Sequence, residues 1–178
     1  MTKRRLSVLW WSLVALYVVF IYMNLSAMPL IWKRFNLILG GRGLMVQYLI
    51  YAISGLSLIY YVTLIKRERS LKRYILMAVC ACAFFVMVQF EKNAGEKIHM
   101  VMYGALGVLL YNALRQNFDR LDLKLYLWGS LACGLIGCID EIIQGILPGR
   151  FFTWHDVCIN GLSGIMVLIL IRFNILNS

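Results

Sequence analysis

The chain alternates long apolar runs with short polar connections. Strongly apolar stretches, uncharged except for Asp156 in the last, occupy residues 6–23, 44–65, 74–90, 98–114, 125–139 and 151–171. A hydrocarbon layer of ~30 Å is crossed by about 20 helical residues, so runs of this length predict transmembrane helices. The expected fold is all-α: a polytopic membrane helix bundle of about six transmembrane helices. The run at 125–139 is too short to span alone. Its helix reaches span length only by continuing to Gln144, which draws Asp140 and Glu141 into the membrane. The last run is long enough only if His155, Asp156 and Asn160 are included.

The first run follows Lys3, Arg4 and Arg5, the arrangement of a signal peptide. At 18 residues it exceeds the usual apolar core of about 7–15, which favours a retained helix. Residues 28–43 are mixed. Trp32 and Phe35 flank Lys33 and Arg34, as expected of an interfacial segment, and Gly40, Gly41 and Gly43 should break it. The chain thus divides into an N-terminal three-helix region (1–90), a three-helix core (91–173) and a tail (174–178).

Composition agrees with a membrane location. Of 178 residues, 62% are hydrophobic and 15% charged, against about half and a quarter in soluble domains. The net charge of +10 sits in short loops, where it sets topology and meets anionic lipid; this argues against nucleic acid as a partner. Alternate connections carry twelve and six Lys and Arg residues. The richer side should be cytoplasmic, which puts both termini inside and faces residues 91–97 and 140–156 outward. The five cysteines form no CxxC pair and lie in or against apolar runs, so they read as packing residues.

Polar residues inside apolar helices are costly and should face the bundle interior or a wet pocket. Helical spacing lets them converge. Glu96, His99 and Tyr103 share one face; Gly129, Cys133 and Gly137 form a small-residue stripe ending at Glu141; Asp156, Asn160 and Gly164 share another face. The candidate cluster is Glu96, Lys97, His99, Asp140, Glu141, Arg150 and Asp156. A carboxylate beside His99 suits general acid–base work. Asp140, Glu141 and His99 suit a divalent metal. Arg150 and Lys97 suit a phosphate. Each has a plainer rival: a neutral structural network joining Asp140 or Glu141 to Arg150 or Lys97, a packed His99, a snorkelling Lys97, an interfacial His155, a core Tyr103, and an Asn160 that only joins helices. Pro148-Gly149 should form a turn. GxSxG, HExxH and Walker patterns are absent from the sequence.

Residues 91–170 resemble the VanZ-like membrane proteins. The resemblance rests on Lys97, His99, Tyr103, Leu106 and Gly107, then on Asp140, Glu141, Gln144, Pro148, Gly149, Arg150, Phe151 or Phe152, Asp156, Asn160 and Gly164. Ser163 stands where a glycine often follows the family's asparagine. The resemblance implies a bacterial cytoplasmic-membrane protein. The family's founding member is associated with low-level resistance to the lipoglycopeptide teicoplanin, without an altered wall precursor. On that basis the expected action is at the outer leaflet, on a lipid-linked or phosphate-bearing envelope component or on antibiotic access. Glu141, Asp140 and His99 would be the reactive groups. Arg150, Lys97, Tyr103, Gln144, Asp156 and Asn160 would contact the ligand. A proton-coupled carrier and a non-enzymatic structural protein are the alternatives.

Overall fold

The computed structural model describes residues 2–38, 71–90, 94–147 and 150–176. These residues form five helices: α1 (Lys3–Ile38), α2 (Leu71–Phe90), α3 (Ala94–Leu114), α4 (Leu123–Ile146) and α5 (Trp154–Leu176). No strand occurs among them. The helix expected at 44–65 lies outside the described residues. Among the described residues, three segments are long and apolar enough to cross a membrane: Lys3–Asn24, Leu123–Ile146 and Trp154–Arg172. In α2 and α3 the apolar stretches, Ala78–Met87 and His99–Leu114, are shorter.

The break expected at Gly40, Gly41 and Gly43 lies outside the described residues. α1 continues through Pro29 to Ile38, so most of the segment expected to be interfacial is helix. Proline removes one backbone donor, but where water is scarce an unwound segment would strand several more. With 36 residues α1 is roughly 54 Å long, well beyond a ~30 Å hydrocarbon layer. Lys33 and Arg34 are exposed near its far end.

α4 shows why the bundle holds together in lipid. Its buried residues are Leu125, Tyr126, Gly129, Cys133, Gly137, Asp140, Glu141 and Gln144, at successive steps of mostly three and four. Leu127, Leu131, Leu135, Ile139, Ile142 and Ile146 occupy the exposed face. Beyond Leu125 and Tyr126 at its start, small and polar side chains point inward and large apolar ones outward, the arrangement expected where the solvent is hydrocarbon. α5 packs against both α3 and α4, and α1 packs mainly against α3.

Glycines set the closest approach. A Cβ on Gly107 would lie 2.7 Å from the Gly164 carbonyl oxygen, and one on Gly164 would lie 2.5 Å from Cys133 Sγ and 3.2 Å from the Tyr103 carbonyl oxygen. α3, α4 and α5 therefore meet where no larger residue fits. Ser163 is buried, and its hydroxyl is satisfied by donating to the Ile159 carbonyl at 2.8 Å. α1 is tied on by Val14 and Ile21, which join Tyr103, Leu106, Leu110 and Cys133 in one core cluster. Tyr17 and Tyr22 donate to the carbonyls of Met102 and Ile136 at 3.2 and 3.3 Å.

Candidate functional site: two buried carboxylates

Successive residues of a helix point about 100° apart, so the adjacent carboxylates of α4 enter different surroundings. Both are fully buried, at 0% exposure. Asp140 turns toward α3. Its Oδ2 accepts a hydrogen bond from the Tyr103 hydroxyl at 3.0 Å, and the same oxygen lies 3.4 Å from His99 Nδ1. Oδ1 is buried and has no hydrogen-bond partner among the described residues. Asp140 and His99 can hold one proton between them. The pair is then neutral whether the carboxyl or the imidazole carries it, the condition under which burial costs least.

Asn160 of α5 borders the same interior. A Cβ on Gly137 would sit 3.3 Å from Asn160 Cβ and 3.6 Å from Tyr103 Cε1. The absent side chain of Gly137 thus eases the close approach of Asn160 to the turn of α4 that precedes Asp140, beside Tyr103. Asn160 Nδ2 is buried and, among the described residues, has no hydrogen-bond partner. One buried acceptor and one buried donor are therefore left available around Tyr103.

Glu141 turns toward the connection between α4 and α5. Its Oε1 accepts from Gln144 Nε2 at 2.8 Å and its Oε2 accepts from the Thr153 backbone N–H at 3.4 Å. Arg150 donates to Gln144 Oε1. Gln144 thus relays between the anionic Glu141 and the cationic Arg150. The turn residues Pro148 and Gly149 lie outside the described residues. Their flanks are joined by a bond from Arg150 N–H to the Leu147 carbonyl, 3.3 Å. Thr153 then caps α5: its hydroxyl accepts from Asp156 N–H at 3.1 Å.

The remaining candidates separate. Lys97 is buried rather than extended to the surface. Asp156 is partly exposed and lies 3.2 Å from the ring Nδ1 of His155, which is exposed. Glu96 falls in the first turn of α3, and its side chain lies outside what is described. Among the described residues no group of three His, Cys, Asp or Glu side chains is gathered tightly enough to hold a metal ion. The Asp140, Glu141 and His99 set is thus not assembled as one ligand sphere: Asp140 meets Tyr103 and His99, whereas Glu141 accepts from Gln144 and Thr153. The structure joins His99, Tyr103 and Asp140 as one group, and Glu141, Gln144, Arg150 and Thr153 as another.

Sequence reasoning missed Thr153 and Tyr22. Thr153 was signalled by its place just before the last apolar run, three residues ahead of Asp156, as in a capping box. Tyr22 had no such signal. It matters through a long-range contact: its hydroxyl binds the Ile136 carbonyl, one helical turn before Asp140.

A family model described as VanZ/LLP1 matches residues 8–176. The chain belongs to the VanZ/LLP1 family. The match extends well beyond the motif-bearing residues 91–170, and takes in α1, which packs into the same core. Comparison with curated proteins and with solved structures gave no match. Family membership and apolar helices of span length make this a membrane protein.

Proposed function

We propose that this VanZ/LLP1 protein acts on the bacterial cell envelope from within the cytoplasmic membrane. It would engage the polar head of a lipid-linked envelope component at the outer leaflet, or limit access of a lipoglycopeptide such as teicoplanin. The supporting observation is the fully buried Asp140, which shares one oxygen with Tyr103 and His99 while its other oxygen is unpaired among the described residues. A charge-bearing group kept inside a membrane bundle is costly and marks function by default. In this reading Asp140 and His99 handle a proton. Asn160 and Tyr103 orient the ligand head, and the Glu141–Gln144–Arg150 relay holds the α4–α5 connection beside it. Sidedness follows from the excess of Lys and Arg at the opposite ends of the helices.

Expression in a Gram-positive host tests the proposal. Wild type should raise tolerance to teicoplanin more than to vancomycin, and His99→Ala and Glu141→Gln should lose that difference at matched membrane abundance. Full protection by both variants would remove the site from the function. The complete burial of Asp140 also favours a second reading, a proton-coupled carrier. It would be supported by substrate movement that follows an imposed pH gradient and disappears in Asp140→Asn.

A further inference from the structure

The opposite end of the bundle holds a second polar site that the buried carboxylates do not explain. An open pocket of about 520 Å³ lies between the start of α1 and the α3–α4 connection. Lys3, Arg115 and Arg120 line it, with Tyr111 and Phe118 supplying aromatic surface and Asp119 the single carboxylate. Asp119, whose Oδ1 accepts from the Leu121 backbone N–H at 2.9 Å, offsets one of the three positive charges and leaves the lining net cationic. Among the described residues none of the three cations has an ion-pair partner.

The pocket is held in place. The Tyr126 hydroxyl donates to the Arg120 carbonyl at 2.7 Å, fixing the connection that carries Arg120. The Arg115 guanidinium lies 5.9 Å from the centre of the Tyr111 ring. Arg172, at the same end, lies over the Tyr126 ring at 4.8 Å, and the rings of Tyr111 and Tyr126 are 6.3 Å apart. Lys3 stands in the first turn of α1, where free backbone N–H groups form the positive end of the helix dipole. The final carbonyls of α3 are occupied, since Ala113 and Leu114 accept from Gln116, Asn117 and Phe118. The pocket therefore presents positive charge rather than bare carbonyls.

We propose that this pocket binds the phosphate of an anionic ligand, supplied at that depth by an anionic phospholipid of the adjacent leaflet. The three cations converge at the level where α1 begins and α3 ends, so a phosphodiester head would meet them while its acyl chains follow the exposed apolar flank of α1, which includes Val8, Leu9 and Trp11. Guanidinium groups favour phosphate through paired N–H donors.

The test is native mass spectrometry of the full chain in detergent, titrated with phosphatidylglycerol or with phosphatidylcholine of the same acyl chains. Phosphatidylglycerol should be retained preferentially. Arg115→Gln and Arg120→Gln should each weaken it about fivefold, the scale for one basic residue near an anionic surface. Arg4→Gln with Arg5→Gln, which removes charges outside the pocket, should leave it unchanged. A separate titration with inorganic phosphate distinguishes the source: no displacement supports the lipid, whereas displacement by phosphate alone overturns the lipid assignment in favour of a soluble anion. Equal retention of the two lipids, or equal losses from the Arg4/Arg5 and Arg115/Arg120 substitutions, would overturn the pocket itself.

Discussion

Gly107→Ala should destabilise the bundle at its closest crossing, and the structure sets the scale. The new Cβ would lie 2.7 Å from the Gly164 carbonyl oxygen, where ordinary van der Waals contact begins near 3.4 Å. About 0.7 Å of separation must therefore be found, and both partners are helix backbone, so no side-chain rotation supplies it. Overpacking of this kind costs about 1–3 kcal/mol. Alanine also gains roughly 1 kcal/mol over glycine as a helix former, which would blur the result if it were read alone. Gly134→Ala supplies the reference, because a Cβ there meets nothing within 4 Å. The helix-forming gain is common to both variants, so their difference isolates the steric cost. Reversible unfolding in mixed micelles should place Gly107→Ala about 1–3 kcal/mol below Gly134→Ala. Gly164→Ala should also be destabilised but partly rescued by Cys133→Ala, since its tightest clash is with Cys133 Sγ at 2.5 Å. Equal stability of Gly107→Ala and Gly134→Ala would refute the three-helix contact on which the placement of Tyr103 depends.

Further outcomes follow from the hydrogen bonds of the site. Tyr103→Phe keeps the ring and removes the donor to Asp140; leaving that buried group short of a partner should cost about 1–3 kcal/mol in the same unfolding assay, and much less in an Asp140→Leu background. Gln144→Leu should remove the hydrogen bonds to Glu141 and Arg150, lower stability by a similar ~1–3 kcal/mol, and quicken protease cleavage between α4 and α5. Thr153→Ala should cost about 1 kcal/mol through loss of the α5 cap, while Thr153→Ser retains it.

Much of this arrangement was legible in the sequence. The deficit of apolar residues at 125–139 required α4 to carry Asp140 and Glu141 into the bundle, and the helix does run to Ile146. The stripe of Gly129, Cys133 and Gly137 is the buried face of α4. Spacing also placed His99 and Tyr103 on the face that meets Asp140. The partition of the two carboxylates was not legible, because a 100° rotation between neighbours has no meaning until the helices around them are located. The continuation of α1 through Pro29 was hidden for another reason. Proline and charged residues signal a boundary where water can replace lost hydrogen bonds, and that signal weakens in a membrane environment. The contribution of α1 to the site was equally hidden, since Tyr22 reaches the Ile136 carbonyl across 114 positions of sequence.

In the proposed function the buried Asp140 group serves the cell envelope rather than helix packing. The most direct measurement is teicoplanin susceptibility of cells expressing wild type or Asp140→Asn, with membrane abundance and micellar unfolding recorded for both proteins. Asparagine preserves the size of the side chain and can still accept from Tyr103, but it cannot exchange a proton with His99. The Asp140→Asn protein should accumulate and fold as wild type does while protection from teicoplanin is lost. Undiminished protection from a fully accumulated Asp140→Asn protein would contradict it.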